Sequence, residues 1–146
     1  MGKRVTLKYL NQINCISCGS KTSKSFGQGF CFNCFSSAPE ASECILHPEK
    51  CQAQLGISRD QQWAEDHCLQ PHLVYLAVSS NIKIGITRES QIPTRWIDQG
   101  ASRAIIIAKV PNRHIAGTIE VFLKQYYADK TNWQQMLKNN INNSID

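Results

Sequence analysis

The chain lacks long apolar runs and an export signal, and each absence excludes a class of protein. None of its 146 residues belongs to an uninterrupted apolar stretch of about 18, so no segment is predicted to cross a membrane. The start of the chain lacks the apolar core of about 7 to 15 residues that a secretory signal needs. We therefore expect a cytoplasmic protein with no membrane partner.

Acidic residues are outnumbered by basic residues in the second half of the chain. Residues 1–71 carry seven Lys/Arg and six Asp/Glu, whereas residues 72–146 carry nine and five, so most of the net charge of +5 lies after residue 71. A basic excess of this size favours a polyanion, and we expect nucleic acid, either DNA or RNA, as the partner. The composition is that of a soluble globular protein and does not indicate an oligomeric state.

Cysteine is abundant by comparison, with seven residues. The cytosol keeps thiols reduced, so cysteines in a chain without an export signal favour metal thiolates over disulfides. The odd number also leaves one cysteine over in any complete pairing. We therefore expect metal sites.

Two C-x-x-C pairs, separated by twelve residues, have the spacing of a zinc ribbon. They consist of Cys15 with Cys18 and Cys31 with Cys34, and Gly19 follows the first pair. Each pair can hold one tetrahedral ion from a tight turn, and two pairs complete four-coordination. A redox pair is the alternative, but the βαβ context of such a motif is missing. The sequence predicts structural zinc here.

A second group of ligand residue types follows the ribbon. Its members are Cys44, His47, Cys51, His67, Cys68 and His72. His67 and Cys68 are adjacent on a predicted helix and point about 100° apart, so only one of them is expected in a site. We predict a second zinc on Cys44 and Cys51, with His67 as third ligand and His72 or His47 as fourth. The alternative is that these cysteines are small buried hydrophobic residues.

The rest of the chain predicts a small α+β domain. Two apolar runs at 73–78 and 82–86 form a hairpin, and a short helix opens at Pro93 and ends at Gly100. The run 103–110 predicts a buried central strand, and the period of the residues from 113 to 129 predicts a long helix.

The predicted organisation is a zinc-ribbon-like module followed by a sheet of about three strands flanked by helices. A short strand at residues 5–9 leads into the cysteines, and a last helix begins at Thr131. We place the zinc module at residues 1–71, the α/β domain at 72–138 and a frayed tail at 139–146.

The hairpin region resembles the GIY-YIG nuclease superfamily. The resemblance rests on the order of Val74-Tyr75-Leu76, Lys83-Ile84-Gly85-Ile86-Thr87, Arg95-Trp96 and Glu120. Residues 15–137 further resemble an uncharacterised family of bacterial proteins that places a cysteine-rich zinc segment before such a core. That second resemblance implies no activity.

The first resemblance implies a catalytic site made of Tyr75, Lys83, Arg95 and Glu120. Glu120 would hold a single Mg²⁺ or Mn²⁺, Arg95 would steady the phosphate, and Tyr75 would position or deprotonate the attacking water. Lys83 stands where the superfamily has a second tyrosine, and an ammonium can bind phosphate as a point charge. The substrate-binding positions would be Gly85, Thr87, Arg88 and Asn132. We expect the four catalytic side chains to meet on one concave face.

Each of these residues also has an ordinary structural interpretation. Tyr75 could be a core aromatic, Gly85 a bulge, and Glu120 a helical partner of Lys124. The ribbon carries cations and aromatic side chains that could bind nucleic acid without catalysis: Lys21, Lys24, Phe26, Phe30, Phe32 and Phe35. The sequence thus predicts a zinc-containing, divalent-metal-dependent nuclease-like protein, or alternatively a non-catalytic nucleic-acid-binding protein with an inactive GIY-YIG-like scaffold.

Overall fold

A computed structural model describes residues 4–79, 81–127 and 134. The chain forms two compact units, Met1–Ser42 and Glu43–Asp146. The division therefore falls earlier than the expected boundary at residue 71. Residues after Ser42 belong with the second unit because its long helix packs closely on the turn at Pro48–Lys50.

The first unit is built around short elements that present cysteines. Strands β1 (Ile13–Asn14) and β2 (Lys21–Thr22) pair antiparallel, and helix α1 (Phe32–Ser37) follows. The strand expected at residues 5–9 is wrong, since no strand forms there and Leu7 is 95% exposed. Alternation alone does not make a strand when no neighbouring strand pairs with it.

The second unit opens with a series of short turns. Three 3₁₀ turns, at Glu43–Ile45, Pro48–Lys50 and Ala53–Leu55, precede helix α2 (Gln61–His67). The helix is capped by Asp60, whose carboxylate accepts a hydrogen bond from the Trp63 amide at 2.7 Å. The cap at Asp60 satisfies a free amide in the first turn of α2 and sets where the helix begins.

The predicted hairpin is confirmed. Strands β3 (His72–Val78) and β4 (Ile82–Arg88) pair antiparallel along their full length. A 3₁₀ turn (Glu89–Gln91) then leads to helix α3 (Thr94–Asp98). This short helix begins just after Pro93, as the sequence predicts.

The prediction of a buried central strand at residues 103–110 is wrong. Strand β5 (Arg103–Val110) does form, but the sheet order is β4-β3-β5, which makes β3 central and β5 an edge. Three consecutive isoleucines of β5 are exposed: Ile105, Ile106 and Ile107. A bulge between Val74 and Tyr75 in the β3–β5 register disrupts the ladder beside them.

Helix α4 (Arg113–Leu123) covers one face of the sheet. It is capped by Asn112 and shorter than the expected span of 113–129. Its Ala116 packs in a core with Val74 of β3 and Ile84 of β4. The observed architecture, a four-cysteine unit followed by a three-stranded antiparallel sheet with flanking helices, confirms the predicted α+β class.

Close backbone packing holds α4 against the preceding turns. A Cβ on Gly117 would overlap the backbone of Pro48 and Glu49, so only glycine allows this approach. No helix within the described residues is both long and apolar enough to cross a bilayer. The predicted last helix from Thr131 lies outside the described residues, apart from Gln134.

Candidate metal centres and hairpin site

The first cysteine cluster contains the four residues that the sequence predicts. The sulfur atoms of Cys15, Cys18, Cys31 and Cys34 all lie within 4.8 Å of one another, and those of Cys18 and Cys31 are 3.9 Å apart. A tetrahedron with Zn–S bonds of about 2.3 Å has S–S edges of roughly 3.8 Å. The donor set and its spacing therefore fit a structural zinc ion.

Backbone geometry explains how the first C-x-x-C turn forms. The Gly19 amide donates to the Cys15 carbonyl at 2.9 Å, and the Cys15 amide donates to the Ser20 carbonyl at 2.9 Å. Gly19 takes a φ of +71°, which glycine adopts without strain. The turn directs two thiols inward from residues only three apart.

Hydrogen bonds give the thiols of this cluster different pKa values. Amide groups of Cys18 and Cys31 lower the pKa of Cys15 to about 6, whereas thiol contacts with Cys31 and Cys18 raise the pKa of Cys34 to about 12. Zinc takes thiolates as ligands, so metal binding must release the protons that the metal-free cluster retains. Affinity for zinc will therefore fall as pH is lowered.

A second cluster consists of Cys44, Cys51 and Cys68, whose sulfur atoms also lie within 4.8 Å of one another. Cys51 and Cys68 are buried in a small core with Ala53 and Ala64. No fourth Cys, His, Asp or Glu ligand atom of the described residues joins this group. Three thiols in contact are also consistent with structural zinc, for which they supply three of the four usual ligands.

Cys68, and not His67, is the residue at the end of α2 that meets Cys44 and Cys51. Ala64 and Cys68 are four positions apart and share the buried face of the helix. His67 turns away, with its ring stacked on Trp63 at 4.1 Å and its Nδ1 2.9 Å from the Trp63 carbonyl. The i, i+4 relation between Ala64 and Cys68 was a signal in the sequence that could have identified the third cysteine.

The other two histidines considered for this site also lie outside the cluster. His72 is 2% exposed, and its Nδ1 donates to the Gln70 carbonyl at 2.7 Å. Burial lowers the pKa of His72 to about 4, and the charges of Arg113 and Arg88 act in the same direction. His47 is half exposed beside Glu49.

Arg113 is the cation associated with the second cluster. Its guanidinium donates to the carbonyls of Cys44 and His67, and its amide donates to the Cys68 carbonyl at 2.8 Å. A hydrogen bond from Cys68 and the charge of Arg113 lower the pKa of Cys44 to about 6.

The Nε atom of Arg113 is a buried donor with no acceptor among the described groups. A donor without an acceptor, in an arginine whose charge reaches Cys44 and Cys68, fits a set of thiolates better than a set of neutral thiols. Three thiolates with Zn²⁺ would carry a net charge of about −1, which Arg113 can balance. The residues present therefore suit a thiolate-bound cation.

On the hairpin, Tyr75 lies directly opposite Gly85. A Cβ on Gly85 would lie 2.8 Å from the phenolic oxygen, so the missing side chain makes room for the tyrosine ring. Trp96 of α3 packs edge-on against the same ring, with centroids 6.0 Å apart. Tyr75 is completely buried as a result.

The hydroxyl of Tyr75 donates to Gln99 Oε1 at 3.0 Å. Burial raises the pKa of Tyr75, although the bond to Gln99 and the charge of Arg95 oppose this effect. The phenol therefore stays protonated at neutral pH. Gln99 was not identified from the sequence as a partner of Tyr75. Its position, between the short helix and Gly100, was the one signal in the sequence that could have pointed to it.

The charges of Arg95 and Glu120 act on the pKa of Tyr75, and Arg95 acts also on that of Lys83. Lys83 is 6% exposed, and burial followed by the charge of Arg95 lowers its pKa. The carboxylate of Glu120, 9% exposed, acts to raise the pKa of Tyr75. Arg95 is thus the group that acts on both the tyrosine and the lysine.

The four predicted catalytic residues do not all come from the same layer of the fold. Strand alternation places Tyr75 and Lys83 on the sheet face opposite to the core residue Val74. Glu120 belongs to α4, which packs on the Val74 face, and its carboxylate lies 3.9 Å from the Lys124 ammonium. Arg95 is exposed on α3.

The remaining predicted substrate-binding residues lie near the end of β4 or outside the described chain. Thr87 is buried, with 8% exposure, opposite Leu73. Arg88 donates to the Asp66 carbonyl at 3.4 Å. Asn132 is outside the described residues.

Comparison with protein-family models gives one match, which spans residues 2–146 and is described as "Protein of unknown function (DUF2797)". The chain belongs to the DUF2797 family. No curated protein and no solved structure matches it. The DUF2797 description assigns no activity to the chain.

Proposed function

We propose that this DUF2797 protein is a zinc-containing, divalent-metal-dependent nuclease-like protein that cleaves phosphodiester bonds in nucleic acid. The supporting observation is that Arg95 lowers the pKa of both Tyr75 and Lys83 while Glu120 raises that of Tyr75, although the four residues come from four separate elements. Ionisable groups with perturbed pKa values cluster at functional sites more often than elsewhere. The order of these residues, similar to that of GIY-YIG nucleases, supports the same proposal.

Two cations supply the attraction for phosphate. Arg95 is exposed and can form paired hydrogen bonds to two phosphate oxygens. Lys83 is buried, and the charge of Arg95 acts on it. Desolvation strengthens the interaction of its ammonium with an anion. A phosphate bound here would relieve the repulsion between the two cations, which gives the pair a reason to bind an anion.

The tyrosine acts as a hydrogen-bond donor in this proposal. Its raised pKa makes the phenolate rare at neutral pH, so Tyr75 is unsuited to take a proton from water. A protonated phenol held by Gln99 can instead orient a water molecule or stabilise a phosphate oxygen. This role differs from deprotonation, which the resemblance also allows.

Glu120 is the residue that would hold Mg²⁺ or Mn²⁺. One carboxylate suits Mg²⁺, which keeps several waters and takes its other ligands from substrate phosphates. The Lys124 ammonium at 3.9 Å pairs with this carboxylate and would have to yield to the metal. A bound divalent ion would supply charge stabilisation for the phosphate in the transition state.

The test is a cleavage assay on zinc-loaded protein with labelled single- and double-stranded DNA and RNA. We expect cleavage only with added Mg²⁺ or Mn²⁺, and its loss in Glu120→Gln with binding retained, because affinity comes mainly from cations. Glu65→Gln, which alters an exposed carboxylate, is the matched control and should cleave like wild type. Cleavage that persists in Glu120→Gln, or none by wild type on any substrate, would refute the proposal.

A non-catalytic nucleic-acid-binding protein is the second candidate. Tyr75 is completely buried and its hydroxyl already bonds to Gln99, which favours this candidate. Glu120 also belongs to the helix that packs on the opposite face of the sheet, the face of Val74. In that case the core is a scaffold, and the protein binds nucleic acid without cutting it. Binding by wild type with no metal-dependent product would establish this function over the first.

A further inference from the structure

Three phenylalanine rings of the first unit form a cluster. Phe26 comes from the segment between the two C-x-x-C pairs, and its ring centroid lies 5.5 Å from that of Phe32 and 6.0 Å from that of Phe35. The Phe26 and Phe35 rings are nearly parallel, at 30°. We call Phe26, Phe32 and Phe35 the aromatic platform.

Two rings of the platform are exposed, whereas another phenylalanine packs the unit. Phe30 is 5% exposed and pairs with Phe26 through backbone hydrogen bonds. Phe32 is 62% exposed and Phe35 is 39% exposed. The unit thus buries Phe30 but exposes Phe32 and Phe35 to solvent, where a ligand can contact both rings.

The backbone around the platform holds one of its rings closely. A Cβ on Gly27 would lie 3.1 Å from the Phe35 ring, which therefore packs directly on the turn. Gly27 adopts a φ of +53°, so a larger residue would be strained there. The platform is thus partly preorganised, which lowers the entropy cost of binding.

Positive charge accompanies these rings. The Lys24 ammonium lies 5.2 Å from the centre of the Phe26 ring. Residues 1–42 contain five Lys/Arg and one Asp/Glu. Four thiolates and one Zn²⁺ would leave this unit with a formal charge of about +2, so it stays basic with metal bound.

We propose that the aromatic platform binds single-stranded nucleic acid, with bases stacked on Phe32 and Phe35 and with Lys24 at a phosphate. Aromatic rings beside cations are the combination that holds single strands without sequence preference. Bases of a duplex are stacked on one another and offer no free face, so duplexes should bind more weakly. The inference adds a strand class to the proposed function, and it stands whether or not the core cleaves.

The test is binding of the full-length, zinc-loaded protein to fluorescent oligothymidine, to oligouridine and to a DNA duplex of equal length. Phe32→Ala removes the most exposed ring and should weaken single-strand binding about 5- to 150-fold, the loss expected for one stacked base. Phe32→Trp should bind at least as tightly as wild type. Leu55→Ala, an exposed apolar residue of the other unit, is the matched control and should bind normally.

The salt dependence of binding distinguishes the contribution of Lys24 from that of the aromatic rings. Lys24→Gln should reduce the slope of log affinity against log salt by about 0.7, the value for one single-strand phosphate contact, whereas Phe32→Ala should leave the slope unchanged. Zinc content and circular dichroism check that both variants fold. If Phe32→Ala loses zinc, the comparison of Phe32→Leu with Phe32→Trp replaces it.

Several results would overturn the inference. Equal affinity of Phe32→Ala and wild type would do so, as would a preference for the duplex or binding to anionic lipid vesicles in place of oligonucleotides. Glu120→Gln should keep the single-strand affinity of wild type. Wild-type protein that cleaves no substrate but binds single strands through Phe32 would mean failure of the core proposal alone. Metal-dependent cleavage with binding that does not depend on Phe32 would mean failure of this inference alone.

Discussion

The ring of Tyr75 lies across Gly85 on the neighbouring strand and occupies the space that a side chain there would fill. The contact buries the tyrosine completely and positions its hydroxyl toward Gln99. The absence of one side chain thus determines the place of another.

Gly85→Ala should therefore destabilise the second unit. The added methyl would lie 2.8 Å from the ring, and overpacking of this kind costs about 1 to 3 kcal/mol. The reduced freedom of the unfolded chain offsets only about 0.4 to 1 kcal/mol of that. Denaturant unfolding measures the effect. In a Tyr75→Leu background the same change should cost much less; an equal cost would show that the ring is not the obstacle.

The Tyr75–Gln99 hydrogen bond should respond unequally to removal of its two partners. Gln99→Leu leaves a buried hydroxyl without its acceptor, which costs about 1 to 3 kcal/mol. Tyr75→Phe leaves the partly exposed Gln99 and the exposed Arg95, both of which water can reach, and should cost about 0.5 to 1.5 kcal/mol. Unfolding free energies of the two variants and the double variant test this. Gln99→Leu as the milder change would contradict the structure.

Zinc content should follow the two cysteine clusters separately. Purified protein is expected to hold about two zinc ions, with Cys31→Ser and Cys68→Ser each losing about one, because each removes a ligand from a different cluster. Elemental analysis gives the stoichiometry, and Ser23→Ala serves as the control that retains both ions. Wild-type zinc content in Cys68→Ser would mean that the second cluster holds no metal.

Acid should destabilise the fold partly through His72. Its pKa is about 4 when folded and about 6.5 when unfolded, so the unfolded chain binds more protons between these values. Stability is then lost as pH falls from about 6.5 to 4, by up to about 3 kcal/mol from this residue. The loss should be smaller in His72→Gln, and subtracting the two pH profiles removes the contribution of thiolate protonation. Identical profiles would rule out the neutral, buried imidazole.

The hairpin was predictable because its signals are local. The runs 73–78 and 82–86 and the intervening polar residues require no knowledge of distant parts of the chain. The ribbon cysteines were predictable for the same reason, since two short spacings define a tetrahedral donor set.

The place of β5 in the sheet was not predictable in this way. Ile105 to Ile107 have the composition of a buried strand, but the order of strands depends on long-range pairing that periodicity does not encode. Cys68 was missed for a related reason. The choice between His67 and Cys68 depends on which face of α2 is buried, and the packing of Ala64 and Cys68 against Cys51 and Ala53 sets that face.

The close approach at Gly85 also has an evolutionary consequence. A substitution there is acceptable only if Tyr75 is already smaller, and a smaller residue at 75 leaves a cavity until position 85 is filled. Each single step is thus less stable than either end point. Across DUF2797 proteins the two positions should therefore change together or not at all.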